Sequence, residues 1–163
     1  MILIAIGANL PSLSGRPAIE TCRWAIGRLG GLPGLRVRGL SRWYRTAPVP
    51  AADQPDYING VVHLEGAIAP EAMLAALHTI EVEAGRARGL ANAARTLDLD
   101  LIGMDALVRS GPDLILPHPR LQDRTFVLWP LRDVAPGWRH PLLQLNADDM
   151  LARLGAASAG EPA

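Results

Sequence analysis

The chain contains no lysine; all 16 of its lysine-or-arginine cations are arginines. A phosphate-cradling lysine of the Walker type is therefore excluded, and so is Schiff-base chemistry. Any phosphate bound here must be met by arginine forks, helix N-termini or metal ions. Cysteine occurs once, at Cys22. A single thiol excludes an internal disulfide and a thiolate metal cluster. Cys22 falls on the apolar stripe of a predicted helix, where a small buried residue is expected. Neither sign of charge is in excess, since 16 cations face 16 carboxylates. That balance offers no electrostatic case for nucleic acid or a membrane surface. Aromatic residues are scarce, with four Trp, two Tyr and one Phe. No apolar run approaches the roughly 20 residues that span a bilayer. Met1 to Ile6 is apolar but has no basic leader, so it reads as a strand rather than a signal peptide, and a reducing cytoplasm is expected.

What is present suits one folded domain. Apolar residues make up 49% of 163 residues, enough to bury a core. Residues 1–155 are expected to form it, and the small polar stretch 156–163 to be a disordered tail. Ile2 to Ile6 reads as a buried strand ending in the turn Gly7-Ala8-Asn9. Ser14 is placed to cap a helix reaching about Leu29, with Ile19, Cys22, Ile26 and Leu29 on one face. Leu35 to Arg45 and Tyr57 to Glu65 read as extended. Between them lies a loop carrying Pro48, Pro50 and Pro55. Pro70 opens a second helix with the stripe Met73, Leu77, Ile80 and Ala84, stopped by Gly85. Thr96 to Ile102 is a further strand. The order β-α-β-β-α-β is that of the ferredoxin-like α+β fold, an antiparallel sheet with helices packed on one face. C-terminal additions follow: a short apolar run at Leu114 to Leu116, a helix from Thr125 to Val134, and a last helix capped by Asn146 and stopped at Gly155.

Four segments carry candidate chemistry. In Arg95-Thr96-Leu97-Asp98-Leu99-Asp100-Leu101, strand alternation sends the leucines to the core and both aspartates to the other face. Two carboxylates about 6–7 Å apart at their Cα atoms repel unless a cation lies between them. The segment thus reads either as a solvated strand face or as a site for a hard ion such as Mg²⁺ completed by substrate phosphates. Tyr57 and Asn59 share a strand face, which suits a flat heterocycle but is more often explained by an ordinary strand after a turn. His118 stands between two prolines, with Arg120, Arg124 and Phe126 close behind, while Leu128 and Trp129 read as core. His78 and Glu81 lie one helical turn apart, and Arg86 and Arg88 follow in a glycine-flanked loop, a set more commonly explained by a solvated helix face.

Taken together, these segments resemble the 6-hydroxymethyl-7,8-dihydropterin pyrophosphokinase family. The matching stretches are Ile6 to Leu10, Tyr44 to Val49, Asp53 to Asn59, Ile80 to Arg88, Arg95 to Asp100, and Pro117 to Leu131, so the likeness covers Ile2 to about Pro136. The resemblance implies a magnesium-dependent transfer of diphosphate from ATP to the pterin hydroxymethyl group, a step of folate synthesis that leaves AMP. It implies that Asp98 and Asp100 hold two Mg²⁺ ions, with Arg95 and Arg86 aiding catalysis. ATP would lie among His78, Glu81, Arg88, Arg95, His118 and Arg124. The pterin would be held by Thr46, Ala47, Val49, Tyr57, Asn59 and Phe126. A monomer is implied, with small-molecule substrates and neither nucleic acid nor membrane as partner. The chain departs from many relatives at Ala91-Asn92-Ala93-Ala94, where an Arg-Trp-Gly-Pro run is usual. A stacking contact of about 0.5–1.5 kcal/mol is thereby missing from the loop. Two alternatives remain open from sequence: a paralogue acting on another pterin-like alcohol, and a non-catalytic ferredoxin-like module that grips RNA on its sheet.

Overall fold

The computed structural model describes residues 1–12, 14–47, 53–85, 96–156 and 163. Its elements run β1 (Ile2–Ala8), α1 (Ala18–Gly30), β2 (Leu35–Leu40), β3 (Tyr44–Thr46), β4 (Tyr57–Gly66), α2 (Pro70–Glu83) and β5 (Asp98–Met104). A small hairpin, β6 (Arg109–Ser110) and β7 (Ile115–Leu116), follows. After it come a single 3-10 turn, α3 (Thr125–Val134) and α4 (Ala147–Arg153). The sheet order β2-β4-β1-β5 is antiparallel throughout, and β3 also pairs with β4. This is the expected ferredoxin-like arrangement.

The first sheet face carries Ile2, Ile4 and Ile6 of β1, Val62 and Leu64 of β4, and Leu99 and Leu101 of β5. These pack on Cys22, Ala25 and Leu29 of α1 and on Met73, Leu77 and Ile80 of α2. Each such aliphatic side chain contributes about 1.5–3 kcal/mol when fully buried. The Cys22 thiol is pushed up to about 12 by burial, as an inert core thiol should be.

Several boundaries differ from expectation. The first helix begins at Ala18, not near Ser14, because Pro17 disfavours helical geometry at Arg16. Ser14 instead meets the hydroxyl of Ser12 in the preceding turn, at 2.9 Å. The extended run from Leu35 splits into β2 and β3, because the Ser41 hydroxyl accepts the Val61 N–H at 2.9 Å and interrupts the ladder. The first strand continues through Gly7 and Ala8 rather than turning there. The C-terminal helix matches its signals closely: Asn146 and Asp149 form a reciprocal capping box, and Gly155 takes φ +67° just past the end. Ala156 belongs to the folded part, since its carbonyl accepts the Trp129 indole N–H at 3.2 Å; residues 157–162 lie outside the described residues.

The C-terminal additions form a second layer on the opposite sheet face. Val127, Leu128 and Leu131 of α3, with Met150 and Leu151 of α4, pack on Leu3, Val61 and Ile102. Beyond them, at the end of that face where Gly7 and Asn59 are buried, Asp98 and Asp100 stay half-buried and reach solvent. A polar clasp fixes α3 to the sheet. The Tyr44 hydroxyl donates to Asp133 at 2.7 Å, Arg42 donates to both oxygens of the same carboxylate, and the Tyr44 ring stacks on Trp129. Partial burial works against the Asp133 carboxylate, but hydrogen bonds from Arg42 and Tyr44 outweigh it and hold the group below its ordinary range. Asp133→Ala is expected to cost about 1–3 kcal/mol in urea unfolding at pH 7, because the buried Tyr44 hydroxyl loses its acceptor. A depressed carboxyl contributes its stability above the unfolded value of 3.8 and loses it as the pH falls through the folded one. The gap between wild type and Asp133→Ala should therefore narrow in acid.

Candidate active site

Sheet register assembles the open end. Asp98 of β5 faces Gly7 of β1, which faces Asn59 of β4, which faces Tyr44 of β3. Side chains directly opposite across a sheet share a face, so Asp98 and Asn59 project together with glycine between them. Asp100 follows on the same face two residues later, opposite Ala5, and Thr46 joins from the other side opposite Tyr57. Thr46, Tyr57, Asn59, Asp98 and Asp100, drawn from three strands, therefore line one patch.

Within the patch the Asn59 carboxamide is tightly placed. Its Nδ2 donates to the Thr46 hydroxyl at 2.6 Å, and the residue is 8% exposed. A Cβ on Gly7 would come within 3.0 Å of the Asn59 Oδ1, so glycine is what lets that oxygen lie over β1. In the sequence Gly7 and Asn9 read only as turn residues, not as parts of a site. Asn9 is buried and donates to the Gln54 carboxamide oxygen at 3.0 Å and the Pro55 carbonyl at 3.1 Å, fastening the end of β1 to the loop before β4. Contacts between residues 45 and 46 positions apart leave no local sequence signal.

The first turn of α3 points at the same patch. Arg124, at its N-terminus, approaches the Asp100 carboxylate at 3.6 Å and lies 5.7 Å from the centre of the Phe126 ring. Both distances suit a guanidinium shared between a carboxylate and an aromatic face. His118 lies nearby, close enough to feel Arg124, Arg120 and Asp98. Its Nδ1 accepts the Arg120 N–H at 3.1 Å, so the neutral ring carries its proton on Nε2 and can donate from there. Partial burial and then the two arginine charges push the His118 imidazole down to about 4. The Tyr57 phenol is pushed up by partial burial and by the Asp98 charge, which again places ring and carboxylate close together.

Other expected residues fall differently. His78 is exposed on α2, while Glu81, one turn on, is 3% exposed and accepts the Leu99 N–H at 3.1 Å. The two do not present one common surface. Ala47 is exposed just beyond β3. Val49, Arg86, Arg88 and Arg95 lie outside the described residues. Among the described residues no group of three His, Cys, Asp or Glu side chains could hold a metal by itself. Paired Asp98 and Asp100 nevertheless fit Mg²⁺, which is commonly bound by one or two carboxylates with substrate phosphates and water completing six oxygens. The sheet face an RNA-binding module would use is largely covered by α3 and α4, and its open end carries two carboxylates. No helix among the described residues is long and apolar enough to cross a membrane.

Comparison with known proteins points the same way. Residues 3–136 match the sequence model described as 7,8-dihydro-6-hydroxymethylpterin-pyrophosphokinase. The chain is 40% identical over 140 residues to the 2-amino-4-hydroxy-6-hydroxymethyldihydropteridine pyrophosphokinase of Pseudomonas aeruginosa, covering 86% of this chain and 83% of that one. It is 37% identical over 139 residues to the protein of the same name from Synechocystis, covering 85% and 68%. In fold it is similar to wild-type Plasmodium falciparum HPPK-DHPS with pteroate, at a TM-score of 0.69 and 10% identity. That likeness covers 94% of this chain, which spans only 44% of the larger one.

The depressed His118 value has a measurable consequence. The unfolded chain takes up a proton near 6.5 while the folded one resists until about 4, so stability present above 6.5 declines as the pH falls toward 4. Unfolding free energies measured across that window should fall less steeply for His118→Gln, and NMR should show the His118 ring titrating near the lower value.

Proposed function

Because the chain belongs to the 7,8-dihydro-6-hydroxymethylpterin-pyrophosphokinase family and is a pyrophosphokinase of folate synthesis, we propose that the open end of its sheet moves diphosphate from ATP to 6-hydroxymethyl-7,8-dihydropterin. The observation that carries this reading is the shared projection of Asp98, Asp100 and Asn59 beside the arginine-bearing first turn of α3. Carboxylates for metal, a carboxamide for a heterocycle edge and a guanidinium for phosphate then lie within one patch.

In this reading the pterin lies against the Asn59 and Thr46 side chains. Their mutual hydrogen bond pre-orients the carboxamide for the paired donor and acceptor edge of the ring. Tyr57 and Phe126 supply aromatic walls, and Ala47 and Val49 the rim. The substrate hydroxyl attacks the β-phosphorus of ATP as the bond from that phosphorus to the α,β-bridging oxygen breaks, and AMP leaves with the electron pair. The hydroxyl proton passes to water or a carboxylate. Two Mg²⁺ ions held by Asp98 and Asp100 would neutralise the phosphate oxygens and ease deprotonation of the attacking hydroxyl. Arg124 and the Nε2–H of His118 meet phosphate oxygens from the α3 side. His118 stays neutral above its depressed value, so it acts there as a hydrogen-bond donor rather than a cation at neutral pH. His78, Arg86, Arg88 and Arg95 complete the ATP side, with Arg86 and Arg95 aiding transfer, in a chain that has arginine alone for such work. A monomeric, cytoplasmic form is part of the same proposal, and sedimentation of the purified chain tests its first half.

Purified protein given Mg²⁺, ATP and hydroxymethyl-dihydropterin should release AMP, and chromatography that detects none would reject the proposal. Asp98→Ala and Asp100→Ala should each lower AMP release at least about a hundredfold, with circular dichroism and the unfolding midpoint close to wild type. Collapse of the fold in place of lost activity would make these carboxylates structural. Gly7→Ala should displace the Asn59 carboxamide and raise the KM for pterin about tenfold, with the KM for ATP unchanged. Steady-state kinetics with each substrate varied in turn separates the two.

A further inference from the structure

Both carboxylates of the site stand on an edge strand. Among the described residues β5 pairs with β1 alone. Half of an edge strand's amides point away from the sheet, and such a strand can rotate or fray unless something holds its outer side. The outer side of β5 is held at Ile102, whose carbonyl accepts the His118 N–H at 3.1 Å, and at the outward amide of Leu99, the residue between Asp98 and Asp100. Its N–H is taken at 3.1 Å by Glu81 Oε2 of α2. The Leu99 side chain is 4% exposed in the core beneath α1 and α2, so this residue is fixed at both side chain and amide. The aspartates on either side are thereby directed to the opposite face.

Glu81 itself is 3% exposed, on a helix whose other buried members include Met73, Leu77 and Ile80. A carboxylate is costly to bury, and packing alone would favour an apolar residue at this position. We propose that Glu81 is a positioning residue. Acting through the Leu99 peptide, it sets the rotation of β5 about its axis, and so the direction and spacing with which Asp98 and Asp100 meet Mg²⁺ and nucleotide. The inference rests on the function proposed above. It gives Glu81 a different part from the direct ATP contact that the family resemblance implies.

The test is calorimetric binding of a non-hydrolysable ATP analogue, with Mg²⁺ and separately with EDTA, to wild type, Glu81→Met and Glu81→Gln. Orienting partners of metal ligands typically matter about 10- to 100-fold. Glu81→Met should weaken Mg²⁺-dependent binding by that factor and leave the metal-free arm unchanged. Glu81→Gln keeps an acceptor oxygen for Leu99 and should retain most of the affinity. Hydrogen exchange at the Leu99 amide should quicken in Glu81→Met and stay slow in Glu81→Gln. Equal weakening in both arms would mean direct nucleotide contact and overturn the inference, as would wild-type binding by Glu81→Met. Glu81→Gln as weak as Glu81→Met would also overturn it, because charge rather than the acceptor would then be at work. Should Glu81→Met fail to fold, the Glu81→Gln affinity and its Leu99 exchange decide alone. Absence of Mg²⁺-dependent binding in wild type would instead bring down the proposed function, and this inference with it.

Discussion

The two-residue period of β5 ties the core of this protein to its chemistry. Leu99 and Leu101 are held in the apolar layer beneath α1 and α2, and Asp98 and Asp100 have no choice but to project the other way. Sliding the strand by one residue would bury two carboxylates and expose two leucines, at a cost of many kcal/mol from desolvation alone. Hydrophobic burial on one face thus fixes electrostatics on the other. The same register sets Asn59 across Gly7 from Asp98, so the carboxamide and the carboxylates of the patch inherit their spacing from the strand pairing.

The second layer decides which part of that face is available. α3 and α4 bury Leu3, Val61 and Ile102, while Asp98 and Asp100 on the same face are only half-buried. Ile102 and Asp98 are four residues apart on β5, about 13 Å at strand rise, so the face changes from fully buried at Ile102 to half-buried at Asp100 and Asp98 within a single element. The clasp of Tyr44, Arg42 and Asp133 holds α3 at that position, and Arg124 is carried to Asp100 as a result. The helix has therefore two functions. It seals the core at its buried stripe and supplies a cation at its start.

A lysine-free chain concentrates its cationic recognition in planar, permanently charged groups. Arg124 illustrates the gain, since one guanidinium reaches a carboxylate and an aromatic face together. Arginine charge also acts at a distance, because Arg124 and Arg120 help keep His118 neutral and fixed as a donor. Half-buried carboxylates, an arginine and a neutral imidazole lie together at one end of the sheet, an arrangement that suits the polyphosphate site proposed above.

Sequence by itself determined the periodicities. The leucine–aspartate alternation, the stripe of α2 and the Asn146 cap of α4 are local patterns, and local patterns persist because backbone geometry enforces them whatever surrounds them. The resemblance extended that reading to the reaction, through short stretches of residues. Tertiary structure alone decided what depends on distant pairing. Glu81 looked like a neighbour of His78 on a solvated helix face, yet it is buried and accepts the N–H of Leu99, 18 residues away on the edge strand. Gly7 looked like a turn and is a clearance for Asn59; Asn9 and Gln54 meet only when β1 and the loop before β4 come together. Those contacts carry no sequence period, since they arise where separate elements meet and the physical demand for a partner or for space is set by the other element.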